Sequence, residues 1–528
     1  MSERFDAIVV GAGVNGLVAA SLLGRSGLQV LLLERGEGVG GQSALTEFAP
    51  GFRVAPLAGD AGWAPPSIIE GLGLGAIEQA EDGAGVTVVD EMGQCLSIPH
   101  DARRAAEAIR ARSQSDAAKW PAFTTRLGKL AGFLEALYQV PVPDIDARSL
   151  DDLLPMVGVG QKFRALGRVD MIELLRTLPM SVWELADDWF ETPALKAAVA
   201  AGGIQDVQQG PRSGGTGFVL LHHLVGAPAG SVRGRRPWRK SPGAFARAVE
   251  NVARRTKEIT IRAGAKVSRL RIQDEAVLGV VLENGDTFDA KTVISTADPA
   301  QTFLDWIDPV WLDPEFIHAV RNIRYRGCTG LVLYALDAPP TIPGLAQDAL
   351  AGVVSLSSRV ESIERAADAA KYGALAETPH IELSMPTALW PDEAPSSKHI
   401  LVARVQYAPY RLRQGAWDAA RRDALAETVS RAIERVAPGF GSRVLHRAAW
   451  TPRDLEERYG LHQGAISHGE LALDQILFMR PVAGWGKHRT PIDGLYLGGA
   501  GAHPGPGVLG GPGWLAARRL LKDRKARS

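Results

Sequence analysis

The stretch Asp6-Ala-Ile-Val-Val10 runs straight into Gly11-Ala-Gly13-Val-Asn-Gly16 and then into the helical pattern of Leu17 to Ser26; nothing else in the chain constrains its fold so tightly. A second apolar strand, Gln29-Val-Leu-Leu-Leu33, ends on Glu34, 18 positions beyond Gly16 (34 − 16). Strand, glycine turn, helix, strand and acid in this order form a dinucleotide-binding βαβ unit. Gly11 permits the tight turn, Gly13 lets a pyrophosphate approach the backbone, and Gly16 lets the helix pack close on the strand. The helix N-terminus offers unbonded N–H groups and a positive dipole end to the phosphates. Glu34 lies at about the distance from the turn at which an acid accepts hydrogen bonds from ribose hydroxyls.

At 528 residues the chain exceeds one ordinary core, so at least two domains are expected. Lys+Arg and Asp+Glu both number 59, which leaves no net field to favour nucleic acid or an anionic membrane. Cys95 and Cys328 are far apart and match no metal or redox spacing, and they read as reduced residues of a cytoplasmic protein. The uncharged run Ala7 to Gly24 is neither signal peptide nor membrane span, because a glycine turn splits it into strand and helix. No targeting segment is visible, and cytoplasm is the expected compartment.

Residues from about Asp101 to Ala201 carry apolar side chains at helical spacing, with long amphipathic helices expected over Trp120 to Val140 and Leu174 to Ala201. Gly202 to Lys240 is glycine-rich and irregular around one apolar run, Phe218 to Val225. Helical periodicity returns at Gly243 to Glu258. Strands follow at 259–262, 265–272, 277–283 and 292–295, with Glu283-Asn-Gly-Asp286 as a hairpin turn. A second strand group covers 330–336, 380–385 and 399–406, and a helix covers 416–436. The last strand, Gly494 to Gly498, enters Gly499-Ala-Gly501-Ala-His-Pro-Gly505 and a final helix. The expected architecture is α/β: a Rossmann-like domain built from 1–60, 243–300 and 445–528, and a substrate domain, a mixed sheet with a helical insert, from 61–242 and 301–444.

Three segments point to FAD rather than to a nicotinamide cofactor. Arg35-Gly-Glu-Gly-Val-Gly40-Gly41-Gln42 supplies a second glycine pair, Thr292 to Pro299 a strand and turn, and Asp493 to Gly501 a third glycine-rich strand end. With His468-Gly-Glu-Leu-Ala-Leu-Asp474, Phe478-Met-Arg480-Pro481, Leu221-His222-His223 and Gly494 to Gly505, the chain resembles the phytoene desaturase-like FAD oxidoreductases, a branch of the fold shared with amine oxidases. The likeness runs from residue 5 to about 520. It is nearest to the CrtO-type carotene ketolases and to the branch of pyridine nucleotide-disulphide oxidoreductase domain-containing protein 2.

The resemblance implies FAD held by Gly11, Gly13 and Gly16 at the pyrophosphate and by Glu34 at the ribose. Arg35, Gly40, Gly41 and Gln42 would follow the pyrophosphate and ribityl, and the Val267 backbone the adenine. Gly499 and Ala500 would form a second pyrophosphate and ribityl contact, and Val508 and Leu509 would approach the flavin ring. Many relatives carry Arg where this chain has Gln42, and a polar residue where it has Trp514, whose indole is expected to narrow the flavin end. The implied activity is hydride transfer between flavin N5 and a mostly apolar, unsaturated or isoprenoid-like small molecule, of desaturase, saturase or ketolase type. Oxygen or a quinone would be the electron partner. A redox-neutral flavin-dependent isomerase and an interaction protein stabilised by FAD are the other readings.

His503 lies in the glycine loop expected near the flavin and is the candidate catalytic acid or base; a turn histidine bonded to a backbone carbonyl is the plainer reading. His468, Glu470 and Asp474 form a further polar trio with an equally plain structural reading. His222-His223 lacks a third ligand, and no metal site is expected. Arg233 to Lys240 concentrates five cations around Trp238: a solvated loop first, a peripheral membrane contact second.

Overall fold

A computed structural model describes residues 3–57, 62–79, 85–142, 150–233 and 237–527. Five strands form an all-parallel sheet in the order Leu495–Leu497, Val293–Ser295, Ala7–Val10, Val30–Leu33, Ile259–Arg262. Every residue of the first four is buried, as expected of a parallel sheet covered on both faces. The alternation is visible in the packing. Ala7, Val9, Val30 and Leu32 join one core with the helices Val14–Arg25, Ala244–Arg255 and Gly511–Arg527. Ile8, Val10, Leu31 and Leu33 join the opposite core with Val267, Val280 and Phe288 of a small sheet. That sheet is the hairpin ladder Val267–Gln273, Ala276–Leu282 and Thr287–Asp289, with Glu3–Arg4 along its edge.

The second body is a seven-stranded sheet in the order Val444–Trp450, Thr329–Leu336, His399–Gln406, His380–Ser384, Val353–Ser355, Val86–Val89, Cys95–Ile98. Only the pairing of Val353–Ser355 with Val86–Val89 is parallel. A helical layer packs on its Val86–Ile98 end around Trp120, Phe123 and Leu220. Val444–Trp450 pairs with Thr329–Leu336, so a boundary at 445 falls inside this sheet.

The structure departs from the sequence pattern at four places. The expected helix Leu174 to Ala201 is three helices, Gly167–Thr177, Val182–Trp189 and Pro193–Gly202. Pro179 and Pro193 cannot donate to a continuing helix, and Ser181 with Glu184 forms a capping box that starts the second piece. The apolar run in the irregular stretch is a helix, Thr216–His223. Val86–Val89 and Cys95–Ile98 are strands of the large sheet, too short to stand out from the surrounding loops. Finally, the cationic stretch does not form one outward surface. Arg233 is buried against Glu382 (2.8 Å), and the buried Trp238 stacks on Phe245, so neither is available to water or lipid. Arg239 and Lys240 are exposed, and 234–236 lie outside the described residues. Among the described residues no helix is long and apolar enough to cross a membrane.

Candidate active site

One cavity of about 470 Å³ joins the two bodies, running from the glycine turn of the parallel sheet to the Thr216–His223 helix and the large sheet. Gly11 and Gly13 line it beside Val14 and Asn15, the first residues of a helix with Gly13 at its N-cap and no acid in its first turn. The three glycines differ in what they permit. Gly11 has φ +94°, and a Cβ there would lie 2.4 Å from Thr296 Oγ1; a Cβ on Gly16 would lie 1.8 Å from the Gly11 carbonyl oxygen. Gly13 has an ordinary φ of −68°, and the nearest atom to its Cβ is Gly41 Cα at 3.9 Å. The protein therefore leaves open the space in front of Gly13 and the helix N-terminus, a cradle that suits a pyrophosphate.

Glu34 is buried at the strand end and acts first on its own chain. Its Oε2 accepts from Ala12 N–H (2.8 Å) and its Oε1 from Gly36 N–H (2.9 Å), tying the glycine turn to the second glycine segment. Gly40 N–H donates to Ala12 O (2.8 Å), and Ala265 N–H to Glu34 O (2.7 Å). These bonds bring Arg35, Gly40, Gly41, Gln42 and Val267 onto the same cavity wall. Gln42 Nε2 donates to Ile466 O (3.2 Å), so the residue that replaces the family's arginine fastens this wall to the C-terminal segment.

The opposite wall is Ala500 and the loop from Gly505 to Gly510, including Val508 and Leu509. Trp63 is joined to it through backbone bonds to Gly507 O and from Leu509 N–H, each 2.8 Å. Helix Gln114–Tyr138 and helix Thr216–His223 bring Tyr138 and His222 together behind this loop. His222 Nε2 lies 2.8 Å from the Pro506 carbonyl, which can only accept, so the proton sits on Nε2 and Nδ1 accepts from the Tyr138 hydroxyl at 2.7 Å. Burial pushes His222 down to about 3 and holds the imidazole neutral.

Behind Ala500 lies Arg480, fully buried and with no carboxylate partner among the described residues. Its guanidinium donates to the carbonyls of Ala500 (2.9 Å), Gln475 (3.1 Å), Ser467 and Gly469 (3.3 Å). It thus fastens the loop after the last strand to the turn that carries His468. His468 lines the cavity with a left-handed φ of +54° and a buried Nδ1 that has no hydrogen-bond partner. Burial, then the Arg480 charge, lowers it to about 4.

Three expected site residues stand elsewhere. Gly16 and Gly499 do not line the cavity; both serve close backbone packing, a Gly499 Cβ falling 2.4 Å from Thr296 O. His503 also lies outside it, fully buried, its Nε2–H donating to Val140 O at 3.1 Å. The loop turns its later glycines to the cavity and this imidazole to the helical layer, so His503 does not stand beside the space expected for the flavin and bonds a backbone carbonyl, as in the plainer reading. His468, Glu470 and Asp474 do not act as a trio: Glu470 is buried against Arg326 and Gln208 N–H (2.7 Å), and Asp474 pairs at 2.5 Å with Arg324, which also lies 3.8 Å from Glu470, while His468 joins neither. Trp514 packs on Gly71 rather than narrowing the cavity. Sequence reasoning missed Trp63, Gln205, Asp206 and Arg404, which line the cavity without belonging to any motif, while Thr296 reaches it from the strand and turn of Thr292 to Pro299.

A Rossmann sheet with a phosphate cradle, a C-terminal loop closing the opposite wall and a second sheet over the far end define a dinucleotide-binding oxidoreductase. Residues 9–60 match the NAD(P)-binding Rossmann-like domain. Over 555 aligned residues the chain is 31% identical to pyridine nucleotide-disulfide oxidoreductase domain-containing protein 2 of Rattus norvegicus, covering 99% of this chain and 94% of that protein. It is 24% identical to the 4,4'-diapolycopene oxygenase of a Methylomonas species, over 98% of this chain and 97% of the other. Among solved structures, a triple mutant of putrescine oxidase superposes with a TM-score of 0.61 at 15% identity, covering 100% of both chains. The chain belongs to the family of pyridine nucleotide-disulfide oxidoreductase domain-containing protein 2.

Proposed function

We propose that this chain is an FAD-dependent oxidoreductase that moves a hydride between a carbon centre of an unsaturated, largely apolar small molecule and flavin N5. The observation that carries the reading is the continuity of the cavity. One lumen is lined by the first glycine turn, the second glycine pair, the Val267 strand and the C-terminal loop, so a single extended cofactor can touch all four. When bound, the flavin supplies the hydride acceptor or donor, and the protein supplies binding, orientation and electrostatics. Here the helix N-terminus after Gly13 would hold the phosphates, Glu34 with Val267 the adenosine end, and Ala500 with the Gly505 to Gly510 loop the flavin end. Tyr138, His222 and Pro506 O hold that loop in one protonation state, since His222 stays neutral throughout the physiological range. Oxygen or a quinone takes the electrons, because the chain carries one dinucleotide fingerprint.

The test begins with purified protein. It should carry a yellow flavin, or bind FAD stoichiometrically when the apoprotein is titrated; lack of a flavin spectrum after FAD addition would remove the proposal. Turnover with lipid extract, followed by mass spectrometry, should give a mass change of two hydrogens for a desaturase or saturase. An isomer of unchanged mass would instead mark a redox-neutral enzyme.

Glu34→Gln is a sharper probe. The two carboxylate oxygens each accept a backbone N–H, and an amide can match only one of them. FAD affinity measured by fluorescence titration should fall by about 1–3 kcal/mol, roughly five- to 150-fold. An unchanged affinity would mean that the Glu34 end of the cavity holds no ribose.

A further inference from the structure

The far end of the cavity, under the helical layer and the large sheet, is not apolar. Asp206 lines it in a left-handed conformation, φ +58°, which Asp and Asn reach more readily than most other side chains. Asp206 Oδ1 accepts from Thr329 Oγ1 at 2.9 Å, and the same oxygen pairs with Arg404. Asp206 Oδ2 accepts nothing from the described residues, and the side chain is about one-fifth exposed. Beside it, His223 lines the cavity and bonds the Gln205 backbone; burial, then the charges of Arg233 and Arg404, pushes it down to about 3, so it adds no charge. The end wall thus holds an unused anionic acceptor whose charge is balanced by Arg404, next to a neutral imidazole. Val225 and Ile466 supply apolar lining.

Such a wall discriminates by charge and by hydrogen bonding at once. A hydrocarbon terminus would desolvate Asp206 Oδ2 and leave it unbonded. A carboxylate at Oδ2 would face the negative charge of Asp206, and an ammonium there would compete with Arg404 for the same carboxylate. A hydroxyl donates to Oδ2 and brings no charge that the pair must accommodate.

We propose that Asp206 and Arg404 form a recognition site for a neutral hydroxyl group on the substrate, so that the substrate class is an unsaturated lipid alcohol rather than a hydrocarbon, acid or amine. This rests on the flavin reading for the reaction, but not for the binding. The test compares farnesol, farnesoic acid, farnesylamine and farnesene, which share a chain and differ at its end. Each is titrated against FAD-loaded protein, read by perturbation of the flavin absorption, and against apoprotein, read by the thermal melt. Farnesol should bind at least about tenfold more tightly than the other three. In Asp206→Asn, which tolerates the same backbone conformation, loss of the negative charge should move the preference toward farnesoic acid by at least about tenfold. Tightest binding of the acid, the amine or the hydrocarbon to the parent protein overturns the proposal. So does binding of none of the four, or an Asp206→Asn protein with the parent ranking. If Asp206→Asn does not fold, the parent ranking decides alone. Failure to take up FAD removes the hydride-transfer reading, while the apoprotein melts still rank the four probes.

Discussion

Gly13→Val should yield a folded protein that cannot retain FAD, whereas Gly16→Val should yield little folded protein at all. A Cβ at residue 13 meets no protein atom closer than 3.9 Å and needs no unusual backbone angle, so its penalty falls on whatever occupies the cradle. A Cβ at residue 16 would sit 1.8 Å from the Gly11 carbonyl oxygen, so its penalty falls on the contact between helix Val14–Arg25 and the strand beneath it. Separating backbone by that much in a packed sheet should cost several kcal/mol, of the order of the whole stability of a domain. The measurements are soluble yield, far-UV circular dichroism and FAD content after gel filtration. Gly13→Val that purifies yellow would show that the phosphates do not lie where the helix points.

The second large effect is expected at Arg480, and on stability. Replacing it by leucine leaves the carbonyls of Ala500, Gln475, Ser467 and Gly469 without their shared donor in a buried site. Unsatisfied buried acceptors typically cost about 1–3 kcal/mol each and relax together, so a net loss of about 3–5 kcal/mol is expected. The guanidinium keeps its proton even so: burial lowers it only to about 10, and the group is charged at neutral pH. Arg480→Lys should recover part of the loss, since it retains the charge but reaches fewer carbonyls. A thermal melt of Arg480→Leu that overlays the parent curve would show that these carbonyls find other donors.

What could be read from the sequence follows how local each contact is. Gly11, Gly13 and Glu34 belong to one βαβ unit, whose spacing is fixed by a short turn, and they line the cavity as that spacing requires. Gly16 belongs to the same unit and serves the helix–strand packing that its place in the motif assigns to it. The C-terminal wall was legible through family likeness, yet His503 was not placed correctly. Its neighbours in the chain reach the cavity, but which way a loop turns a side chain is set by what packs behind it, here the Val140 carbonyl at the end of a distant helix. Asp206, Arg404 and Trp63 carry no pattern of their own. They meet because a loop, a strand of the large sheet and the segment before helix Pro66–Gly71 are folded onto one lumen. Likewise the helix expected over Leu174 to Ala201 follows apolar spacing that persists across Pro179 and Pro193, so periodicity alone hid both breaks.

The order of strands in the parallel sheet bears on the life history of the protein. Ala7–Val10 is separated from Leu495–Leu497 by the single strand Val293–Ser295, so near neighbours in space are 485 positions apart in the chain (495 − 10). A chain emerging from the ribosome displays its first glycine turn while the strand and loop that close the other side are still unmade. Bringing these segments together involves contacts of the longest sequence separation, which form late and slowly. Cofactor capture should therefore await synthesis of the segment that carries Leu495–Leu497 and the loop after it. Nascent chains stalled before residue 495 should hold FAD poorly however well the first βαβ unit has formed.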